Sequence, residues 1–388
     1  MESKSKKILI WVLVCVAIIL LLGAILVYYF FYDVFGLELY NDETIQSIYK
    51  YNDQIYLVDE DGKGYVLGGY SDSSGRTYLN SENQKHKGLN SSTPVLFFDG
   101  NIQKLIPYDS MSTLIITNDF ELYNWCDFEI KQIASSVVSA DASAGKGIYY
   151  INQRSELIMS EKNGAEKVLL TDVIKVVLYR DSAYVLLKDK SLNEMTVDES
   201  GNVALSLCEI NGVVDFDVVD TSIRYNGEKY VYGDEIAVKN PLISVLCDDG
   251  NMYVKGAYNL LNCYTNLADE KPQPHIIDDW TLIGEEVSSF SSAPMGTVML
   301  LDDGSCEYYG FDTSVSIDSE FKSFCIPISG IKYVHASETT ICLVSQDNKI
   351  YIYGDDAFNP LLYRATNRHH IFKDSPLVIS CDGKVLQD

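Results

Sequence analysis

Basic residues are scarce in this chain. Lys and Arg number 30 against 55 Asp and Glu, giving a formal net charge of -25. A field of that sign repels phosphate backbones, because nucleic-acid binding depends on Lys and Arg displacing counterions, so nucleic-acid partners are excluded. No long single-sign run accounts for the charge, which therefore describes a dispersed acidic surface. Histidine is scarcer still, at His86, His275, His335, His369 and His370. None has the spacing of a zinc protease or a zinc finger, and the adjacent pair His369 and His370 would point opposite ways on a strand. A Gly-x-Ser-x-Gly elbow is missing, as is a Gly-rich phosphate loop followed by Lys-Ser/Thr. No catalytic, cofactor-binding or metal-ligating residue is singled out on these grounds, and no cofactor is implied. Cys-x-x-Cys is absent too. Of the 9 cysteines, Cys15 lies in an apolar run; Cys126, Cys208, Cys247, Cys263, Cys306, Cys325, Cys342 and Cys381 follow it. Eight thiols permit disulfides in an oxidising space, yet Cys247, Cys342 and Cys381 fall inside strand-like runs, where a small buried hydrophobe is the simpler reading.

What is present begins with residues 8–31, an apolar run without a single charge that ends in Tyr28, Tyr29, Phe30 and Phe31. At 1.5 Å per helical residue such a run spans about 30 Å or more, enough to cross a hydrocarbon core. The aromatic end suits a membrane interface and lacks the small residues of a cleavage site. Lys4, Lys6 and Lys7 precede it, and Asp33, Glu38, Asp42 and Glu43 follow it. The positive-inside bias then predicts a cytoplasmic tail over 1–7, a transmembrane helix over 8–32, a juxtamembrane linker over 33–44 and an extracytoplasmic domain over 45–388. No later stretch is long and apolar enough for a second crossing.

From Ile45 onward the pattern is short and alternating, and no 3.6-residue apolar stripe is convincing. One unit recurs: an apolar run, a tight turn of the Asp-Gly kind, and an aromatic-bearing strand that ends on Gly. It is clearest over 243–256, with Asp249, Gly250, Tyr253 and Gly256. Further copies run over 297–310 with Gly304, 340–354 with Asn348, 55–68 with Gly62, and 226–233 with Gly227. Weaker copies place Phe120, Ser155 and Lys190 at the turn glycine, and a clipped copy around Gly383 ends the chain. Asp-Gly and Asp-Asn tolerate the positive φ that tight hairpins need, and the closing Gly allows a bend or a close backbone approach. A leading strand with apolar residues at short spacing precedes each unit, at Ile45/Ile48, Ile102/Leu105, Ile133/Val137, Ile174/Val177, Val213/Phe216, Val287/Phe290 and Ile331/Val334, with Ile236/Val238 an ambiguous eighth. Small sheets of three or four strands are not stable alone; stacked radially they bury their faces and leave only short edges. The fold class is therefore all-β, a β-propeller of about seven blades behind one N-terminal transmembrane helix. Because a ring must close, the strands at 377–386 are expected to pack beside the first unit, near 45–66.

The unit Asp-Gly-x-apolar-Tyr-x-x-Gly, best seen at 243–256, 297–310 and 340–354, resembles the repeats of the regulator of chromosome condensation family, which form seven-bladed propellers. The family's His-Thr pair has no counterpart at Ser337–Thr340 or Pro294–Thr297, and its Gly-Gln-Leu-Gly stretch is replaced at Asn259–Asn262 and Phe358–Leu361. The middle units, such as Ile148, Tyr149 and Tyr150, look more like a bacterial propeller repeat built around Ile-Tyr-Tyr. The resemblance implies the fold. The founding member's nucleotide exchange on a small GTPase is not carried over, because it needs a cytoplasmic or nuclear partner. Secreted β-lactamase inhibitory proteins of this fold are a nearer analogy, as extracellular binders.

Two further motifs have structural readings. Asp59, Glu60, Asp61 and Gly62 resemble half a calcium loop, but Lys63 stands where an oxygen ligand belongs, so a hairpin turn is expected. Ser71–Tyr78 is close to an Asp-box hairpin, with Ser73 in the Asp position. Asn90–Ser92 is a lone glycosylation sequon. The long polar loop over 69–96 and the insertion over 258–280, which carries Pro272, Pro274 and Trp280, are expected to be functional excursions or, equally, disordered decoration. The sequence thus points to a membrane-tethered module that binds or scaffolds a protein or cell-envelope partner. The alternative is an extracellular glycan hydrolase or lyase with a site in the propeller channel. Converging carboxylates with one raised pKa at that channel favour the enzyme; an exposed apolar patch favours the binder.

Overall fold

The computed structural model describes residues 45–51, 54–72, 75–79, 85–87, 91–109, 112–126, 129–143, 147–161, 164–198, 200–220, 241–258, 275–311, 321–337, 340–354, 377–379 and 385–386. The strands of these residues form seven antiparallel sheets in chain order. Blade 1 consists of β1 (Ile45–Tyr51), β2 (Gln54–Asp59) and β3 (Gly64–Asp72); beyond these, β4 (Gly75–Leu79) and β5 (Lys85–Lys87) form a hairpin extension, and β6 (Ser91–Phe98) pairs with β3. Blade 2 holds β7 (Ile102–Asp109), β8 (Ser112–Thr117), β9 (Leu122–Cys126) and β10 (Glu129–Ala134). Blade 3 holds β11 (Val137–Ser143), β12 (Gly147–Asn152), β13 (Leu157–Ser160) and β14 (Glu166–Leu170). Blade 4 holds β15 (Val173–Tyr179), β16 (Ser182–Leu187), β17 (Leu192–Val197) and β18 (Val203–Leu207). Blade 5 holds β19 (Val213–Val219), β20 (Leu242–Cys247), β21 (Met252–Tyr258) and β22 (His275–Gly284). Blade 6 holds β23 (Val287–Ala293), β24 (Gly296–Leu301), β25 (Cys306–Phe311) and β26 (Phe321–Ile326). Blade 7 holds β27 (Ile331–Ser337), β28 (Thr340–Ser345), β29 (Ile350–Gly354), β30 (Leu377–Ile379) and β31 (Val385–Leu386). The first strand of each blade packs against the first strand of the next, from β1 through β7, β11, β15, β19, β23 and β27 back to β1, which defines a ring around a central axis. The residues around 8–32 lie outside the described part. Among the described residues, no helix is long and apolar enough to cross a membrane.

Burial follows distance from the axis. The second strands, with their unbroken apolar runs, are covered on both faces: β2, β8, β20 and β28 are buried at every position. The outermost strands β10, β14 and β18 are largely exposed. Neighbouring blades share their cores. Tyr56, Phe97 and Trp125 join blades 1 and 2, for example, and Val298, Leu300, Val334 and Leu343 join blades 6 and 7.

The leading strands explain their own apolar spacing. In all seven the register slips just after the first residue, between Ile45/Ser47, Ile102/Lys104, Val137/Ser139, Val173/Lys175, Val213/Asp215, Val287/Ser289 and Ile331/Tyr333. Such a bulge inserts one unpaired residue, which brings positions i and i+3 onto the same face of a strand that otherwise has period two. The bulge corrects two of the sequence assignments. The buried pairs are Val137/Ala140 and Val173/Val176, whereas Ile133 belongs to β10 and Ile174 is the exposed extra residue. The copy at 226–233 and the pair Ile236/Val238 lie outside the described residues, between β19 and β20 of one blade.

Each blade turns from its second to its third strand through one left-handed residue. These are Gly62, Phe120, Ser155, Lys190, Gly250, Gly304 and Asn348, with φ between 62° and 80°. The three non-glycine positions inferred from the weak repeats are therefore placed correctly. The carbonyls of the first six accept a hydrogen bond from the N–H that opens the next blade, at Ile102, Val137, Val173, Val213, Val287 and Ile331, over 2.8–3.1 Å. The closing glycines allow the close approach expected of them. A Cβ on Gly256 (φ 115°) would run into Pro241, and one on Gly310 into Met295 and Gly296.

Ring closure differs from expectation. β30 pairs with β29, through Ile350↔Ile379, and so completes blade 7 instead of joining blade 1. The reason is that β6 already occupies the outer edge of β3, leaving blade 1 four strands drawn from its own segment. The ring closes by face packing: Tyr49 on β1 meets Tyr333 and His335 on β27, with ring centroids 5.8 and 5.7 Å apart. Lys332 adds an ion pair to Glu60 at 3.5 Å.

Candidate functional site

Beyond each bulge, the inner strands send alternate side chains along the axis toward the following blade. On blades 2–5 these positions hold Lys104, Asp141, Lys175, Asp215 and Asp217. Lys175 donates to Asp215 Oδ1 at 2.7 Å and to the Phe216 carbonyl at 2.5 Å, tying blade 4 to blade 5. Asp141 ties blade 3 to blade 4: its Oδ2 accepts the Leu178 N–H at 2.6 Å and its Oδ1 the Ala142 N–H at 2.8 Å. Burial pushes the Asp141 carboxyl up to about 6, although both N–H donors and Lys104 favour its charged form. Asp217 is also raised by burial. Lys104 is lowered, first by desolvation and then by Lys175. Its side chain is reached by solvent yet surrounded by protein, as the lumen of a ring requires. Across the axis stands the aromatic seam of Tyr49, Tyr333 and His335, where burial holds the Tyr333 phenol well above its ordinary value.

One end of the ring is built by the β2–β3-type turns and by the bulges. Four apolar side chains stand exposed there: Phe120 in the blade 2 turn, then Val138, Ile174 and Val214 at the bulges of blades 3, 4 and 5, each 36–44% accessible. The bulge forces this exposure, because its extra residue has no place in the ladder. Sequence periodicity had placed Ile174 in the core; its exposure becomes visible only once the bulge is located. A cleft of about 260 Å³ at the other end, between blades 3 and 4, is lined by Tyr149, Asp181 and Ser182 together with apolar Leu178, Ala183, Met195 and Val197.

The two expected excursions are described only in part. Within 69–96 the described residues pair as β3 with β4, from Gly69↔Tyr78 to Asp72↔Gly75, and β4 with β5; residues 73–74, 80–84 and 88–90 lie outside the described part. Residues 259–274 lie outside the described part. Trp280 on β22 is part-buried and donates Nε1–H to the Cys208 carbonyl at 2.9 Å, fastening blade 5 to the strap that leaves blade 4. His275 stacks on Phe321 with centroids 3.8 Å apart and is lowered by burial. Asp59 serves its own hairpin, taking the Lys63 N–H at 2.7 Å and the Tyr65 hydroxyl at 3.1 Å. Cys126, Cys208, Cys247, Cys306, Cys325 and Cys342 are free thiols, whereas Cys15, Cys263 and Cys381 lie outside the described residues. Burial raises Cys208 and Cys247 to about 11 and Cys306 to about 12, so these thiols are poor nucleophiles.

The strand order defines the chain as a seven-bladed propeller of the kind its repeats resemble. No family model and no curated protein matches the chain. Among solved structures it is similar to yeast RCC1 (Prp20) in the complex with Kap60, with TM-score 0.42 and 12% identity over 86% of this chain and 73% of that one. Prp20p from Saccharomyces cerevisiae gives TM-score 0.37 and 14% identity over 76% and 67%. The computationally designed protein Ika8 gives TM-score 0.42 and 13% identity over 88% and 95%.

Proposed function

We propose that this chain is a membrane-tethered propeller, held on the extracytoplasmic side, that binds or scaffolds a protein or cell-envelope partner. The observation that carries this reading is the row of exposed Phe120, Val138, Ile174 and Val214 on one end of the ring. Adjacent exposed apolar residues on a rigid scaffold mark interaction surfaces, whereas single ones need no explanation. The tether is supported by the uncharged run over 8–31 between Lys7 and Asp33.

A glycan-active enzyme is the second reading, favoured by Asp141 and Asp217 converging near the axis with raised pKa values. Against it, both Asp141 oxygens accept backbone N–H groups, Oδ1 from Ala142 on its own strand and Oδ2 from Leu178 on the next blade, so its carboxylate is committed to structure. The test is crosslinking capture from intact cells with the full chain, using the 1–44 segment alone as control. A stoichiometric envelope partner, lost with the Val138→Asp/Ile174→Asp variant, supports the scaffold. Capture of bulk glycan only, together with glycan cleavage that Asp217→Asn abolishes, supports the enzyme.

A further inference from the structure

We infer that the turn-bearing end of the ring is a docking surface for a basic, apolar segment of a membrane-proximal protein. This inference rests on the scaffold reading above and names its surface and its partner chemistry.

The apolar half of the surface is the row Phe120, Val138, Ile174 and Val214 across blades 2–5. Its last member abuts an acidic half. The Asp248 N–H bonds to the Gly212 carbonyl at 2.8 Å, which sets the turn of Asp248 and Asp249 beside the bulge that carries Val214. The Val287 N–H then bonds to Gly250 at 2.9 Å, and the Asp302 N–H to Glu286 at 2.9 Å. Those two bonds place Glu285 and Glu286 between the turn of Asp248–Asp249 and the turn of Asp302–Asp303. All of these acids are exposed. Among them Asp248 meets Lys190 at 2.7 Å, while Glu285, Glu286 and Asp302 form no ion pair among the described residues. Blades 3 and 4 carry Arg154, Lys188 and Lys190 at the same end, mixed with the exposed Asp172 and Asp189, and Lys188 pairs with Asp172 at 3.3 Å. The acidic charge is therefore concentrated over blades 5 and 6, where Asp248, Asp249, Glu285, Glu286, Asp302 and Asp303 stand. A complementary segment lays its apolar side chains over blades 3–5 and its Lys or Arg residues over blades 5 and 6.

The chain itself indicates where this end faces. Ile45 pairs with Asp59, the last residue before the blade 1 turn, so β1 starts at the turn-bearing end. The twelve residues of 33–44 separate it from the apolar run. Twelve extended residues reach at most about 40 Å, so a tether through the run over 8–32 holds the start of β1, at this end of the ring, within that distance of the bilayer. An anionic lipid surface is repelled by the acidic half, which leaves a protein segment as the occupant.

The first test is peptide binding by the full chain in phosphatidylcholine nanodiscs, read by fluorescence anisotropy. The probes are a labelled peptide with a Leu/Val half and a Lys half, its Glu-for-Lys counterpart, and an all-Lys peptide. The Leu–Lys peptide is expected to bind saturably, at least tenfold tighter than either counterpart. Ile174→Asp and the Glu285→Lys/Glu286→Lys pair should each weaken it at least tenfold, while Val168→Asp, an equally apolar exposed site on β14, should not. Unchanged melting curves show that the variants fold. Equal binding by all variants, or by all peptides, overturns the proposal.

The second test places a photo-crosslinking residue at Val138 or at Val168 in intact cells. A basic membrane-proximal protein captured at Val138 alone supports the surface. Protein capture at Val168 alone leaves a binding module but overturns this surface, and lipid adducts alone at Val138 overturn the partner class. Absence of adducts at both sites, with protein expressed, removes the scaffold reading itself.

Discussion

Single residues carry much of the ring's geometry. Phe120, Ser155 and Lys190 adopt the left-handed conformation at the place where three other blades use glycine and one asparagine, although a side chain there costs roughly 1 kcal/mol. They were legible because the alternating strands on either side fix the position of the turn even when its residue is unusual. Asp141 was not legible. Its neighbours on blades 2, 4 and 5 are 37 or more positions away in sequence, and only the ring brings Lys104, Leu178 and Asp217 around it. A raised carboxyl has a defined consequence for stability. Between the ordinary carboxylate range and about 6, the folded protein binds a proton that the unfolded chain does not. Its stabilising contribution is therefore full below the unfolded pKa and is lost as pH rises through 6. Urea unfolding should show wild type gaining stability relative to Asp141→Asn as pH falls from 7 to 4, by about 2 kcal/mol. A pH-independent difference between the two proteins would remove Asp141 from this role.

At the scale of elements, the bulge decided what the hydrophobic pattern meant. Apolar residues three apart normally argue for a helix, yet here each pair opens a strand whose register slips once. The pairs were read as strands because the neighbouring units are strands, but two were set in the wrong register for want of the bulge. The same limit applies to β22. Sequence groups Trp280 with Pro272 and Pro274 in one insertion, while in the fold it belongs to β22 and its indole is a fastener to the Cys208 carbonyl. Trp280→Phe should cost about 1–2 kcal/mol in urea unfolding, since it removes the donor and orphans a partly buried carbonyl. The m-value should stay unchanged. A neutral substitution would show that water replaces the bond at no cost.

For the whole molecule, closure is a matter of faces. Seven sheets of similar width fill a circle, and the last rests on the first through Tyr49, Tyr333 and His335 without exchanging a strand between the chain ends. The acidic excess of -25 then surrounds a compact ring and repels itself. Salt screens exposed charges over about 10 Å at 0.1 M. The melting temperature is therefore expected to rise by a few degrees between about 20 mM and 200 mM NaCl, which is a shift of roughly 1 kcal/mol for a domain of this size. A fall over that range would mean that the paired charges, such as Lys175 with Asp215, outweigh the repulsion.

The sequence by itself determined the class of this protein. Short alternating strands, the recurring turn positions and an uncharged apolar run are local properties, set by side-chain chemistry and backbone preference within a few residues. Tertiary structure alone decided where the surface chemistry converges. Lys104, Asp141, Lys175 and Asp217 meet only because four inner strands share an axis. Val138, Ile174 and Val214 come to one end of the ring only because the same bulge recurs in three adjacent blades. Proximity between distant residues follows from ring closure, and no local pattern encodes it.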